Sequence, residues 1–235
     1  MSHTDTLRSL HHAHELLVLP NAWDVASAKR FAALTGCKAV ATSSGAVARA
    51  LGYEDGERTP REEMLRAVER IAAAVELPVT ADLEAGYGDP PGTAAEALAA
   101  GAAGMNLEDS RRGTLLGLDE QVEIVRATRA AAPELVLNAR VDVFVRGGDD
   151  VDEAVARANA YLAAGADCAY PILAPEDVVE ELVHRIDGPV NILVKPGTPL
   201  DRYRQIGVAR VSFGPYLAEC ALAEAERLAG EALSI

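Results

Sequence analysis

The stretch PVTADLEAGYGDPPGTAAEALAAG (78–101) contains a complete strand–turn–helix unit. From Val79 to Glu84 its apolar and polar side chains alternate, as the two faces of a β-strand require. A glycine-rich turn follows, and the alanine-rich segment that begins near Thr93 ends at Gly101, a residue type that commonly terminates helices. The stretch therefore predicts a strand that is joined to a helix by a short loop.

The same unit recurs along the rest of the chain. Short apolar or β-branched runs that end in polar or glycine residues alternate with alanine-rich amphipathic segments. The predicted strands are 16–20, 38–43, 78–84, 104–108, 135–141, 168–173, 190–195 and 210–214. The predicted helices begin near Asp24, Pro60, Thr93, Leu118, Val151, Pro175, Leu200 and Pro215. Eight alternations with short connections favour an α/β fold of one domain, the (β/α)8 TIM barrel.

A doubly wound open sheet is the competing architecture. It usually has fewer units and a glycine-rich phosphate-binding turn after its first strand, whereas the turn here is PNAWD (20–24). We therefore predict a barrel domain over residues 16–235. Residues 1–15 are predicted to be a leader segment, either a helix or a frayed end.

Composition and charge restrict the partners and the compartment. The formal net charge is −14, which disfavours nucleic acid and anionic membrane surfaces as partners. No apolar run approaches the roughly 20 residues of a membrane span, and the first residues do not form a signal peptide, so we expect a cytoplasmic protein. Three scattered cysteines without a CxxC pair argue against a disulfide framework and a zinc ribbon.

Polar side chains gather at the predicted carboxyl ends of four consecutive strands, where barrel enzymes carry their catalytic groups. In chain order they are Thr42, Ser43, Ser44 and Gly45, then Asp82 and Glu84, then Asn106 and Glu108, and finally Asn138, Arg140 and Asp142. Several carboxylates around one cavity repel one another, and a single arginine cannot neutralise them all. A divalent cation can, and Mg²⁺ prefers carboxylate oxygens together with retained waters.

The residues themselves therefore predict a Mg²⁺ site that includes Asp82, Glu84 and Glu108. The alternative is that these acids are structural partners of Arg140, Lys195 and backbone amides. An acidic protein also needs a local positive charge, such as an arginine or a metal ion, to bind an anionic substrate. Both interpretations place the acids at the same end of the barrel.

Several short motifs resemble one superfamily. They are TSSG (42–45), GYEDG (52–56), TADLEAGYG (80–88), NLED (106–109) and NAR (138–140), within a likeness that runs from LPNAWDVASA (19–28) to RVSFGPY (210–216). Together they resemble the isocitrate lyase/phosphoenolpyruvate mutase superfamily, especially its small methylisocitrate lyase, oxaloacetate decarboxylase and phosphonopyruvate hydrolase members. The resemblance implies a (β/α)8 barrel, small 2-oxo or 2-hydroxy acid substrates and bond cleavage next to a carbonyl through an enolate. It also implies a homo-oligomer, a dimer or tetramer, that often exchanges its last helix.

The resemblance also implies roles by position. Asp82 is expected to be the direct ligand of Mg²⁺, or of Mn²⁺. The acids expected to hold the metal largely through water are Asp55, Glu84 and Glu108. The residues expected to bind or act on the substrate carboxylate or its enolate oxygen are Thr42, Ser44, Gly45, Ala46, Arg140 and Asn191. Tyr87 is predicted to close over the substrate, with packing at the rim as the alternative.

The segment after the fourth strand departs from the superfamily pattern. Lyases carry a mobile loop there with a Lys-Arg-Cys-Gly-His type motif that supplies the acid/base, and the mutases and hydrolase carry a longer loop with lysine and asparagine. Here the segment is EDSRRGTLLGLDE (108–120), without Lys, Cys or His.

We therefore expect a Mg²⁺-dependent carbon–carbon lyase, oxaloacetate decarboxylase-like or methylisocitrate lyase-like, which favours a substrate that is already a 2-oxo acid. Phosphonopyruvate hydrolase or mutase chemistry at a P–C bond remains an alternative. A second alternative is a barrel that binds a ligand without turnover, because the acid/base motif is missing.

Overall fold

Eight parallel strands form the centre of the fold in the computed structural model, which describes residues 1–233 except for the side chain of residue 146. They are β1 (Leu17–Leu19), β2 (Val40–Thr42), β3 (Val79–Asp82), β4 (Gly104–Glu108), β5 (Val136–Val141), β6 (Cys168–Pro171), β7 (Asn191–Leu193) and β8 (Arg210–Ser212). Strands β2 to β6 pair in sequence order, and β8 pairs with both β7 and β1.

Two further contacts close the ring of strands. A parallel bridge joins Ala169 in β6 to Val190, the residue before β7. Beyond Pro20 the chain of β1 continues as Asn21–Ala22, which pairs with β2. The predicted (β/α)8 barrel is therefore confirmed, and the open doubly wound sheet is excluded.

The helices follow the predicted alternation, with one addition. They are α1 (His3–His11), α2 (Val25–Ala32), α3 (Ser44–Leu51), α4 (Arg61–Ala72), α5 (Pro90–Ala99), α6 (Leu118–Ala131), α7 (Val151–Ala163), α8 (Val179–Arg185), α9 (Asp201–Ile206) and α10 (Tyr216–Leu233). The addition is α3, which was not predicted although Ser43 supplies its N-cap by accepting a hydrogen bond from the N–H of Ala46. Within the described chain, none of these helices combines the length and apolar character needed to cross a membrane.

Helix α1 closes the amino-terminal end of the barrel. Leu7 of this helix is fully buried and packs in one cluster with Leu17 and Leu19 of β1. At Gly104 a Cβ atom would come within 2.9 Å of Leu7 Cδ2 and 2.8 Å of the Val136 carbonyl oxygen, so only glycine fits there. The leader segment is thus helical over His3–His11 and packs into the barrel core.

One strand ends earlier than predicted, and the difference affects the site. Strand β3 ends at Asp82, whereas alternation along 78–84 placed Glu84 in the same strand. Glu84 instead has a φ of +52°, in the left-handed region, which a strand residue does not adopt. The prediction that Glu84 follows the strand register is therefore wrong, because the chain turns after Asp82.

Candidate active site

The carboxyl ends of the strands surround a pocket of about 130 Å³. Ser44, Asp82, Asn106 and Arg140 line it from the side of β2 to β5. The side of β6 to β8 is mainly apolar and is lined by Tyr170, Ile172, Leu193 and Pro215, with Ser212 as a polar exception. A second pocket of about 200 Å³ adjoins it, shares Asp55 and Arg140, and includes Glu84, Glu108 and Asp142. The mouth thus has a charged half and an apolar half.

Asp82 ends β3 with its carboxylate directed into the smaller pocket. Its Oδ2 accepts hydrogen bonds from Ser44 Oγ at 2.7 Å and Ser44 N at 2.9 Å, and its Oδ1 accepts one from Asn106 Nδ2 at 3.2 Å. The backbone N–H of Asp82 donates to Thr42 Oγ1 at 2.9 Å. These contacts fix the carboxylate, and they place Thr42 behind it, outside the pocket lining.

The amide of Asn106 is oriented by opposite charges on its two sides. Its Oδ1 accepts from Asn138 Nδ2 at 2.8 Å and Arg210 Nη2 at 3.4 Å, while its Nδ2 donates to Asp82. Because arginine only donates and an ionised carboxylate only accepts, reversing this amide would create repulsive contacts on both sides. Sequence reasoning missed Arg210 because one strand residue gives no sign that its side chain lies inside the barrel.

Arg210 is a cation buried beneath the carboxylate end of the barrel. Its side chain is among the largest that are fully enclosed, and burial lowers its pKa. Its Nε and Nη1 atoms have no hydrogen-bond partner among the described residues. An arginine without an adjacent carboxylate is costly to bury, so its charge is offset at longer range by groups such as Asp82.

The amino-terminal end of α3 faces the pocket. The N–H of Ser44 donates to Asp82, and the N–H of Ala46 donates to Ser43 Oγ at 3.3 Å. Among these first-turn amides, the N–H of Gly45 therefore remains available to a ligand. A Cβ atom at Gly45 would lie 2.8 Å from Oδ2 of Asp55. Glycine is therefore needed for Asp55 to approach α3, and Ala46 lies outside the pocket lining.

Arg140 lies between two acids at the boundary of the two pockets. Its Nη1 donates to Glu108, its Nε donates to Asp142 Oδ1 at 2.5 Å, and its Nη2 donates to Asp142 Oδ2 at 3.0 Å. Burial opposes the charge of Arg140, but the carboxylates of Glu108 and Asp142 outweigh this effect and raise its pKa. Arg140 therefore does pair with the acids, as the structural alternative anticipates, while it still lines both pockets.

A further buried acid, Asp109, supports the ion pair of Arg140 with Asp142 from behind. Asp109 Oδ1 accepts from the N–H of Asp142 at 2.8 Å, and Asp109 Oδ2 accepts from Tyr161 Oη at 2.8 Å and Arg157 Nη1 at 3.3 Å. Burial, together with the nearby charge of Asp142, raises the pKa of Asp109 to about 6. Tyr161 and Arg157 belong to α7, so a helix outside the barrel fixes the end of β5.

Glu84 reaches the mouth from the turn beyond β3. Its Oε1 accepts from Tyr87 Oη at 2.8 Å, and its Oε2 accepts from the N–H of Glu57 at 2.5 Å. Burial raises the pKa of Glu84 to about 7, and the charges of Asp82 and Asp55 act in the same direction. The turn therefore brings Glu84 to the mouth by a route that strand alternation did not describe.

Known proteins share both this sequence and this architecture. A family profile described as phosphoenolpyruvate phosphomutase matches residues 7–233. A solved structure of a candidate phosphonomutase from Burkholderia cenocepacia is 40% identical, covers 97% of this chain and 98% of that chain, and superposes with a TM-score of 0.91. The chain belongs to the phosphoenolpyruvate phosphomutase family. A solved neighbour, 2,3-dimethylmalate lyase, is described as a member of the PEP mutase/isocitrate lyase superfamily; it is 25% identical, covers 100% of this chain and 88% of that chain, and has a TM-score of 0.87.

Two further relatives of this superfamily member are enzymes. The 2-methylisocitrate lyase of Bacillus subtilis is 28% identical over 95% of this chain and 79% of its own length. A structure of oxaloacetate acetylhydrolase in complex with the inhibitor 3,3-difluorooxalacetate is 25% identical, covers 97% of this chain and 85% of that chain, and has a TM-score of 0.86. The resemblance predicted from the motifs is thus confirmed at the level of the superfamily.

In this family member the segment after β4 is a short antiparallel hairpin. Ser110–Arg111 pairs with Thr114–Leu115, and Arg112 at the turn has a φ of +48°. Ser110 Oγ donates to Asp142, which joins the hairpin to the Arg140 pair. The hairpin carries no Lys, Cys or His side chain.

The predicted metal ligands are spread over both pockets. Asp82 lines the smaller pocket, Glu84 and Glu108 line its neighbour, and Asp55 lines both from an exposed loop. Across residues 1–233, no three His, Cys, Asp or Glu side chains form a ready-made metal cage. This donor set fits Mg²⁺, which usually takes one or two carboxylates directly and retains several waters.

Asn191 lies below the pocket. It is fully buried, and its Nδ2 donates to Ser212 Oγ at 3.3 Å. Ser212 lines the pocket whereas Asn191 does not, so the predicted contact of Asn191 with substrate has no direct route in this arrangement. The structure brings Ser44, Gly45, Asp55, Asp82 and Arg140 together, and it places Thr42, Ala46 and Asn191 behind them.

The raised pKa of Glu84 predicts a pH dependence of stability in the metal-free protein. The pKa of the folded state, about 7, lies above the ordinary value of 4.5, so the folded state holds more protons between those values. The free energy of unfolding should therefore fall as the pH rises through this window. Glu84→Gln should reduce that fall without abolishing it, because burial also raises the pKa of Glu108.

Urea unfolding in the presence of a chelator, at several pH values between about 4.5 and 8, measures this effect. Glu62→Gln, an exposed site on α4, is the matched control and should retain the wild-type pH dependence. Identical pH profiles for wild type and Glu84→Gln would show that burial does not raise the pKa of Glu84.

Proposed function

We propose that the protein is a Mg²⁺-dependent lyase that cleaves a carbon–carbon bond next to the carbonyl of a small 2-oxo acid, with an oxaloacetate-like substrate. The observation that carries this proposal is Asp82, whose two oxygens are fixed by donors from Ser44 and Asn106 at the edge of a small pocket. Mn²⁺ is the expected substitute metal. When bound, the metal supplies Lewis-acid charge that stabilises an enolate.

The chain's own donors suit the carboxylate of such a substrate. Gly45 offers a free amide at the start of α3, where the helix dipole favours negative charge. Arginine has five N–H donors, and three from Arg140 are used by Glu108 and Asp142, which leaves two for a substrate carboxylate. The acids that hold Arg140 also limit its movement, so its guanidinium is already in position when a substrate carboxylate binds.

The size and polarity of the pocket favour a small acid over a tricarboxylate. The pocket measures about 130 Å³, and Ile172, Leu193 and Pro215 form its wall opposite the charged half. An apolar wall does not bind a further carboxylate, but it tolerates an uncharged product such as carbon dioxide. Decarboxylation also places few demands on an acid/base group, and the β4 hairpin contains none.

We also propose that the protein is a homo-oligomer in which α10 packs on a second copy. Only Ala218 of this 18-residue helix is buried, whereas Leu222 and Leu228 are 63% and 52% exposed. An apolar groove of about 440 Å³ lies between α2, α3 and α4, and its lining includes Trp23, Val25, Val47, Leu51 and Ile71. An exposed apolar helix face and an open apolar groove in one chain complement each other in a dimer or tetramer.

The metal site predicts a loss of binding in Asp82→Asn. This substitution removes the charge but keeps the size of the side chain, so Mg²⁺ affinity measured by calorimetry should fall sharply. Glu84→Gln should weaken binding less, since its contact is expected to run through water. Asp187→Asn, an exposed site at the opposite end of the barrel, is the control. Equal Mg²⁺ affinity in wild type and Asp82→Asn, with both proteins folded by circular dichroism, would refute the site.

The substrate proposal predicts faster turnover of oxaloacetate than of methylisocitrate or isocitrate at matched Mg²⁺. Cleavage of a 2-hydroxy acid requires a base for the hydroxyl proton, a task typically worth about 10²–10⁴ in rate, and the hairpin lacks such a group. Product assays over these acids and phosphonopyruvate, with and without a chelator, measure the preference. Faster cleavage of methylisocitrate would contradict the proposal, and no turnover of any acid would favour the ligand-binding alternative.

The oligomer proposal predicts that Leu222→Glu together with Leu228→Glu lowers the assembly state. Charges on the exposed face of α10 cannot be buried in the groove of a second copy without a large desolvation cost. Analytical ultracentrifugation should show a dimer or tetramer for wild type and a monomer for the double variant. Glu224→Gln on the same helix is the control, and a monomeric wild type would reject the proposal.

A further inference from the structure

The segments 52–60 and 84–88 meet at the mouth through one residue, Glu57. The N–H of Glu57 donates to Glu84 Oε2 at 2.5 Å, and the N–H of Tyr87 donates to Glu57 Oε1 at 2.6 Å. A third bond, from Tyr87 Oη to Glu84 Oε1 at 2.8 Å, closes the triangle. In the described chain, both hydrogen bonds between the two segments therefore involve Glu57.

All three residues of this triangle have an unusual backbone conformation. The φ angles are +59° for Glu57, +52° for Glu84 and +54° for Tyr87. Residues with side chains adopt this region at a cost and persist in it when surrounding contacts hold them there. The other left-handed positions in these two segments are glycines, namely Gly52, Gly56, Gly86 and Gly88. The left-handed residues of these segments that have a side chain are thus the three members of the triangle.

We propose that Glu57 is a positioning residue that locks the segment 52–60 onto the turn 84–88 and so sets the positions of Asp55 and Glu84. This inference rests on the proposed function, in which both acids help to hold Mg²⁺. We call the residues Glu57, Glu84 and Tyr87 the latch.

The latch acts on the two acids differently. Both oxygens of Glu84 accept bonds from latch residues, so its orientation depends directly on where Glu57 lies. The side chain of Asp55 accepts no hydrogen bond from the described residues, and it lies at the pocket wall beside Gly45. Its position therefore depends on the path of the backbone, which Glu57 fixes two residues later.

The test compares substitutions at residue 57 that separate the side chain from the backbone. Glu57→Gly removes the side-chain acceptor, tolerates a positive φ and keeps the N–H that reaches Glu84. Glu57→Asn is too short to reach Tyr87 but also tolerates this conformation, so it serves if the glycine variant fails to fold. Glu57→Gln retains the length and the acceptor oxygen. Glu54→Gly introduces a glycine at an exposed position of the same segment and is the matched control.

Hydrogen–deuterium exchange of the metal-free proteins is the first measurement. Glu57→Gly should speed exchange in both 52–60 and 84–88 and leave β3 to β5 unchanged, while Glu57→Gln should resemble wild type. Glu54→Gly should affect its own segment alone. Unchanged exchange in 84–88 in Glu57→Gly would overturn the latch, whether or not the wild type binds Mg²⁺.

Mg²⁺ affinity by calorimetry is the second measurement. Glu57→Gly should bind about tenfold more weakly, which is the range for residues that orient metal ligands, and Glu57→Gln should restore most of the affinity. Faster exchange with unchanged affinity would overturn the positioning role and leave a purely structural contact. Absence of Mg²⁺ binding in wild type would instead reject the proposed function, and the exchange data would still decide whether Glu57 joins the segments.

Discussion

Buried carboxylates require donors, and this requirement organises the mouth of the barrel. The partly buried Asp82 and the buried Asp109 and Asp142 each accept several hydrogen bonds, and their donors come from different parts of the fold. Ser44 donates from the start of α3, Tyr161 from α7 and Arg140 from within β5. Because each donor belongs to a separate element, the geometry of the acids depends on the packing of helices against the barrel as well as on the strands.

The same requirement explains why so few groups face the pocket freely. Most donors and acceptors in the charged half are already paired with one another, as Arg140 is with Glu108 and Asp142. The pocket-lining groups that the described residues leave unpaired include the carboxylate of Asp55, the amide of Gly45 and two N–H groups of Arg140, and they lie beside the carboxylate of Asp82. Opposite them the wall is apolar, which suits chemistry in which charge develops at one end of a small molecule.

The pattern of apolar and polar residues was sufficient to predict the barrel. Alternation in 78–84 and its seven counterparts identified every strand of the ring, with errors of a few residues at the ends. The same pattern was sufficient to predict that Asp82, Glu108 and Arg140 lie at one mouth, because each lies within a strand whose register fixes the face of its side chain. The prediction failed at two places. At Glu84 a left-handed turn ends the strand early, and at α3 a helix capped by Ser43 begins where no helix was predicted.

The sequence by itself determined the fold, the superfamily and the end of the barrel at which the acids gather, because these follow from periodicity and from contiguous motifs. Only the tertiary structure decided which partners the acids have. Arg210 is 104 residues from Asn106 in the chain, and Arg157 is 48 from Asp109, yet each pair is in contact. Glu57 and Glu84 likewise meet across two loops. Such contacts depend on where the closed ring places segments that are far apart in the chain. No local pattern of residues encodes which of these segments become neighbours in space.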